Sequence, residues 1–154
     1  IFINYRVASD AVIANKMALF LSNEKLGMFC NAIVGYFIAR GFFKDGESWE
    51  AGFRNGLATA NLIVLLISED GLAGIKASAA QRQDNVLVEY EAALERFQKK
   101  ECGLLPLLLG KISTDGSYHE FSAFGLNDYP DAPHAGGSKA NIRATMKALF
   151  AIQG

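Results

Sequence analysis

The chain has few of the residues that would place it in a specialised class. Among 154 residues there are only two cysteines, Cys30 and Cys102, and neither has the paired spacing of a metal site or redox motif. That excludes a disulfide framework, and two free thiols in apolar surroundings are expected to be buried in a reducing, cytoplasmic compartment. The two histidines, His119 and His134, fall in a polar stretch without metal-ligand spacing, so both are expected at the surface and no metal site is expected. Charge of either sign is not in excess: 15 Lys and Arg against 16 Asp and Glu leave a net charge of −1. There is thus no global electrostatic reason to bind nucleic acid or an anionic membrane, and a charged ligand must be held locally. The longest uninterrupted apolar run, Leu62 to Ile67, is far too short to span a bilayer, and nothing has the form of a signal peptide.

What is present is enough for one domain, residues 1–154, large enough to bury roughly 70% of the surface an unfolded chain would expose. The chain opens without Met on strand-like residues, as expected of a domain cut from a longer polypeptide. Ile1 to Tyr5 is a β-branched and aromatic run with the form of a buried parallel strand, ended by Arg6. Ser9 or Asp10 can cap a helix that carries Ile13, Met17, Phe20 and Leu21 on one face and stops at Leu26-Gly27. A second apolar run, Ile33 to Ile38, is weakened by Gly35 and followed by a loop from Ala39 to Glu47. Ser48 can cap a helix with Trp49, Phe53, Leu57 and Ala60 on one stripe. Leu62 to Ile67, ending at Ser68, is the clearest strand, and Glu69 to Gln83 reads as a long connection of functional or mobile character.

A helix from Asp84 to Phe97 follows, with Asp84 as N-cap and Val86, Tyr90, Ala93 and Phe97 on its buried stripe. Glu89 sits on one flank of that stripe, while Glu91 and Glu95 sit on the other. Glu95 has Lys99 four residues on as an exposed pair, whereas Glu89 has no local cation, and small Ala92 and Ala93 stand beside it. Two readings are open for Glu89: a boundary side chain with its head in water, or a carboxylate that serves a ligand. Beyond this helix, Leu104 to Leu109 is a strand whose Pro106 points to an edge or a strand start. Residues 111–137 are loop-rich with one short strand near Phe121 to Phe124, and a last helix runs from Ser138 through Ile142, Met146, Leu149 and Phe150. The alternation of strands and helices argues for a doubly wound parallel sheet, in which ligands sit beyond the carboxyl ends of the strands. Arg6, the loop around Gly46, Ser68, Asp84 and the start of the Glu89 helix all fall at those ends.

These residues together resemble the Toll/interleukin receptor (TIR) domain. Phe2-Ile3-Asn4-Tyr5-Arg6 is similar to the family's first box, a strand ending in Phe-Ile-Ser-Tyr and a basic residue. Phe37-Ile38-Ala39-Arg40 and Lys44-Asp45-Gly46-Glu47-Ser48-Trp49 resemble its second strand and BB loop, Leu62 to Ser68 its third strand, and Asp84 to Leu94 the helix that bears its glutamate. The likeness covers essentially the whole chain. Departures are Asn4 for the usual Ser, Ala39 where many members have Asp, Asn85 where many have Trp, and a BB loop without proline.

The resemblance implies an α/β, flavodoxin-like three-layer sandwich with a five-stranded, mainly parallel sheet, the first strand lying between the second and third. It also implies one of two activities. Some members cleave nicotinamide from NAD+ with one glutamate, here Glu89, acting in signalling or defence through self-association; others are catalytically silent adaptors that mediate homotypic protein-protein interaction. A nucleoside-processing transferase on a related scaffold is a third possibility, while a phosphoacceptor receiver domain would need Asp where Ser68 stands. On the enzyme reading NAD+ is substrate and no cofactor is needed, Glu89 is catalytic, and Arg6, Gly46, Trp49, Asp84 and Asn85 line the substrate site. Phe42, Phe43, Lys44 and Asp45 are expected to contact other TIR domains, because two adjacent aromatics in one short loop cannot easily both be buried.

Overall fold

The computed structural model describes residues 1–23, 33–34, 49–135 and 140–152. It is a mixed α/β structure whose main sheet holds four strands among the described residues: β1 (Phe2–Asn4), β2 (Ile33–Val34), β3 (Leu62–Ser68) and β4 (Gly103–Leu109). Their order is β2-β1-β3-β4 and every neighbouring pair is parallel. The first strand therefore lies between the second and third, as expected, and among the described residues β4 has one neighbour, which suits the Pro106 it carries. The expected fifth strand of this sheet is not found among the described residues. The region of Phe121 to Phe124 forms a turn instead, while β5 (Lys111–Ile112) and β6 (Tyr118–His119) make a separate antiparallel hairpin. Phe121 still contributes to the core, packing edge-on against Phe124 and Phe150.

Alternation along β3 divides the core in two. Ile63, Leu65 and Ile67 join Phe2 in one cluster, and Val64 and Leu66 join Ile3 and Tyr5 in the other. In the two runs expected to be sheet strands, Phe2, Ile3, Val64 and Leu66 are buried and Leu62 is half-buried. Apolar residues on both faces need cover on both, and helices provide it. Helix α1 (Val7–Asn23) covers the Ile3 face through Ala14 and Ala18. This differs from the expected face, since Ile13 and Phe20 are exposed while Met17 and Leu21 are only partly buried. The residues turned inward, Asp10, Ala14 and Ala18, recur every four positions, and the two alanines let the helix lie close to the sheet.

On the other face lie α2 (Trp49–Thr59), α3 (Glu69–Ser78), α4 (Asn85–Gln98) and α5 (Ile142–Ala151), which supply Leu57, Leu72, Ile75, Leu87, Tyr90, Ala93, Ile142, Met146 and Leu149 to the larger cluster. Helix α3 corrects the expectation of a long connection after Ser68. Ser68 is its N-cap, accepting from the Gly71 N–H (2.9 Å), Glu69 and Asp70 occupy the first turn, and Leu72, Ile75 and Ala79 are fully buried. Asn141 caps α5, accepting from the Ala144 N–H at 3.1 Å, whereas the expected cap Ser138 lies outside the described residues. Among the described residues no helix is long and apolar enough to cross a membrane. Cys102 is free and half-buried, and burial pushes its thiol up; Cys30 lies outside the described residues.

Helix α4 follows its expected stripe except at one end, where Phe97 is 37% exposed rather than buried. Leu87→Ala, which empties a fully buried position, should therefore cost about 2–5 kcal/mol in urea unfolding. Phe97→Ala should cost far less, and equal losses would contradict the helix's placement.

Candidate functional site

The site forms where β1 ends and α4 begins. Arg6 follows β1 directly, and its Nη2 lies 2.8 and 2.7 Å from Oδ1 and Oδ2 of Asp84. Its Nε donates to the carbonyl of Gly71 in α3. Asp84 is also the N-cap of α4, as expected, with Oδ1 accepting from the Leu87 N–H at 3.1 Å. One buried carboxylate thus fixes both a helix start and a guanidinium. The pair fits against α3 because residue 74 is glycine: a Cβ there would lie 3.1 Å from Oδ2 of Asp84 and 3.3 Å from Nη1 of Arg6.

Glu89 is brought into the same cluster, 9% exposed, and this removes the reading of a boundary side chain with its head in water. One turn and more into α4, it receives a hydrogen bond from Nδ2 of Asn4, the last residue of β1. Burial pushes its carboxyl from an ordinary 4.5 up to about 8, the Asp84 charge adds to the rise, and Arg6 opposes it. Arg6 cannot reverse the balance because Asp84 already holds it. The phenol of Tyr90, buried beside Glu89 in sequence, is pushed up by burial first and then by Asp10. It donates only weakly to the Leu66 carbonyl, at 3.5 Å.

Glu89 also lines a groove of about 1150 Å³ between α2, α4 and α5, together with Arg54, Asn85, Ala92 and Thr145. Ala92 leaves that space open as expected, but Ala93 is fully buried in the core. Among the described residues Arg6, Asp84 and Asn4 do not line the groove, so Glu89 is what it shares with the charged cluster. The structure therefore unites Arg6, Asp84 and Glu89 and places exposed Asn85 at the groove, where it accepts from Gln83 (3.0 Å). Trp49 opens α2, but its side chain lies outside the described part, as do Phe42, Phe43, Lys44, Asp45 and Gly46 altogether. No group of three or more His, Cys, Asp or Glu among the described residues is placed to hold a metal ion.

Two residues of the site differ from expectation. His119 is exposed, but His134 is buried, and its Nε2 accepts the backbone N–H of Asp84 at 2.9 Å. An accepting Nε2 carries no proton, which puts the neutral ring's proton on Nδ1, 3.5 Å from Oε1 of Glu91. Glu91 is thus not an equivalent of Glu95: its side chain is 8% exposed, whereas Glu95 pairs with Lys99 at the surface (2.6 Å). His134, which precedes α5 in the chain, lies over that flank of α4, and no local pattern announces a contact between residues 50 apart. Asn4 was legible only as a departure from Ser, and its contact spans 85 residues.

No family model, no curated protein and no solved structure matches the chain.

His134→Ala should remove the acceptor of a buried N–H and cost about 1–3 kcal/mol in chemical denaturation. Glu91→Ala should also destabilise measurably, and Glu95→Ala should be close to silent. Equal effects at Glu91 and Glu95 would contradict the burial of His134.

Proposed function

We propose that the chain is a TIR-like NAD+ glycohydrolase that acts through self-association in signalling or defence inside the cell. In this reading the sheet belongs to a five-stranded, flavodoxin-like sandwich, and other copies dock through Phe42, Phe43, Lys44 and Asp45. The observation that carries the proposal is the state of Glu89: a buried carboxyl at the carboxyl end of the central strands, beside a groove, whose one nearby described cation is already bound to Asp84.

Such a carboxylate is short of positive charge, and the reaction supplies it. When the bond from C1′ of the ribose to the nicotinamide nitrogen breaks, its electron pair leaves with the ring, which departs neutral and needs no general acid. Positive charge then moves to the ribose carbon and ring oxygen, and ionised Glu89 stabilises it more strongly than it would in water. Water adds at C1′ and one proton is released, giving nicotinamide and ADP-ribose. Asp84 keeps Arg6 from neutralising Glu89 in advance. Asn85 then binds the dinucleotide in the groove beside Glu89, while Arg6 and Asp84 line the inner side of the site from outside the groove, with Gly46 and Trp49 completing it and no resident cofactor.

A catalytically silent adaptor is the second reading, and the exposed Asn85, standing where many family members have Trp, favours it.

Nicotinamide release from NAD+ at high, crowded protein concentration tests the choice. Wild type is expected to release it, and Glu89→Gln to lose about 100-fold or more in turnover while remaining folded. Because only the ionised carboxylate works, kcat/KM should rise about tenfold per pH unit up to about pH 8 and then level off. Release that survives Glu89→Gln overturns the assignment. None from wild type under any assembling condition selects the adaptor.

A further inference from the structure

Asn4 is the one polar side chain at the end of an otherwise apolar strand, and it is 2% exposed. Its backbone is fixed by the parallel pairing of Asn4 with Leu65, so the side chain has little freedom to leave the core. A buried amide costs stability unless it is hydrogen-bonded, and an apolar residue would serve the packing better. What the amide does instead is donate from Nδ2 to Oε2 of Glu89. Its Oδ1 is buried and has no hydrogen-bond partner among the described residues.

The charged surroundings explain why Glu89 needs this donor. Asp84 faces it from the N-cap of α4 and Arg6 from the end of β1, with Tyr90 and Asp10 of α1 as the further titratable members of the cluster. Arg6 is occupied by Asp84 and Gly71, which leaves the Asn4 amide as the neutral donor against the carboxylate. An amide also suits both protonation states of an acid, since N–H meets a carboxylate oxygen and C=O meets an acid O–H.

We propose that Asn4 is the positioning residue of Glu89: its Nδ2–H holds Oε2 of the ionised carboxylate, and a half-turn of the same amide presents Oδ1 to the O–H of the neutral acid. The orphaned Oδ1 is then the idle half of a partner that serves Glu89 in both states. Only the use of Glu89 in cleaving an N-glycosidic bond rests on the proposed function; the partnership does not.

The test is an NMR titration of the Glu89 carboxyl and the Asn4 side-chain amide in the ligand-free protein. In wild type the two sets of resonances should move together, with one midpoint near pH 8. In Asn4→Leu, similar in size but without a donor, the Glu89 midpoint should rise by about one pH unit, a tenfold smaller ionised fraction at any lower pH. An Asn4 amide that does not respond as Glu89 titrates overturns the proposal, and so does an unchanged midpoint in a folded Asn4→Leu variant. The wild-type titration decides the matter if that variant does not fold. Linked titration without nicotinamide release would remove the hydrolase reading alone, whereas release without linked titration would remove the role of Asn4 alone.

Discussion

The pairing of Arg6 with Asp84 is the constraint on which the site depends. It joins the end of the first strand to the start of α4 across 78 positions of sequence, and through the Gly71 carbonyl it ties in α3 as well. Asp84 is 8% exposed, so removing Arg6 would leave a carboxylate both buried and unpaired, the costly way to break an ion pair. The backbone of Asp84 is held from a fourth direction by His134. A helix whose cap is fixed by strand, helix and loop together has a fixed register, and the side chains of its first turns point where the cap directs them.

That arrangement decides how charge is shared. Arg6 stands near two carboxyl groups, Asp84 and Glu89, and cannot neutralise both. Asp84 has the two guanidinium contacts and the Leu87 N–H, while Glu89 has an amide and its burial. Burial first, and the Asp84 charge after it, push the Glu89 carboxyl far above its ordinary value, and Arg6, held by Asp84, offsets only part of the rise. A buried acid kept short of positive charge is poorly suited to stabilising a fold and well suited to a ligand that brings or develops such charge.

Much of this frame was legible in the sequence because its signals are local. Leu62 to Ile67 reads as a buried strand from its short, uninterrupted apolar run, and Asp84 reads as a cap because it stands just before an apolar 3.6-residue pattern. The signal of helix α3 is equally local: where length alone suggests a long connection, Ser68 followed by Glu69 and Asp70, with Leu72, Ile75 and Ala79 behind them, is a capped amphipathic turn. What no local pattern contains is the long-range pairing. His134 under Glu91, Asn4 against Glu89 and Arg6 on Asp84 each depend on how the elements are docked, and so does the turning of Ala14 and Ala18, rather than Ile13 and Phe20, toward the sheet. Glu89 could be placed on a helix flank from the sequence, but its burial could not.

The central claim, that folding forces Glu89 to hold a proton it would otherwise release, has a direct thermodynamic readout. A carboxyl raised from 4.5 to about 8 gives the folded state the greater proton content across that interval, so its contribution is full below pH 4.5 and is lost as pH rises through about 8. The measurement is the unfolding free energy of wild type and Glu89→Gln as a function of pH. Wild type should lose stability relative to the glutamine variant between pH 4.5 and about 8, by an amount on the order of 5 kcal/mol. Two curves that stay parallel over that range would contradict it.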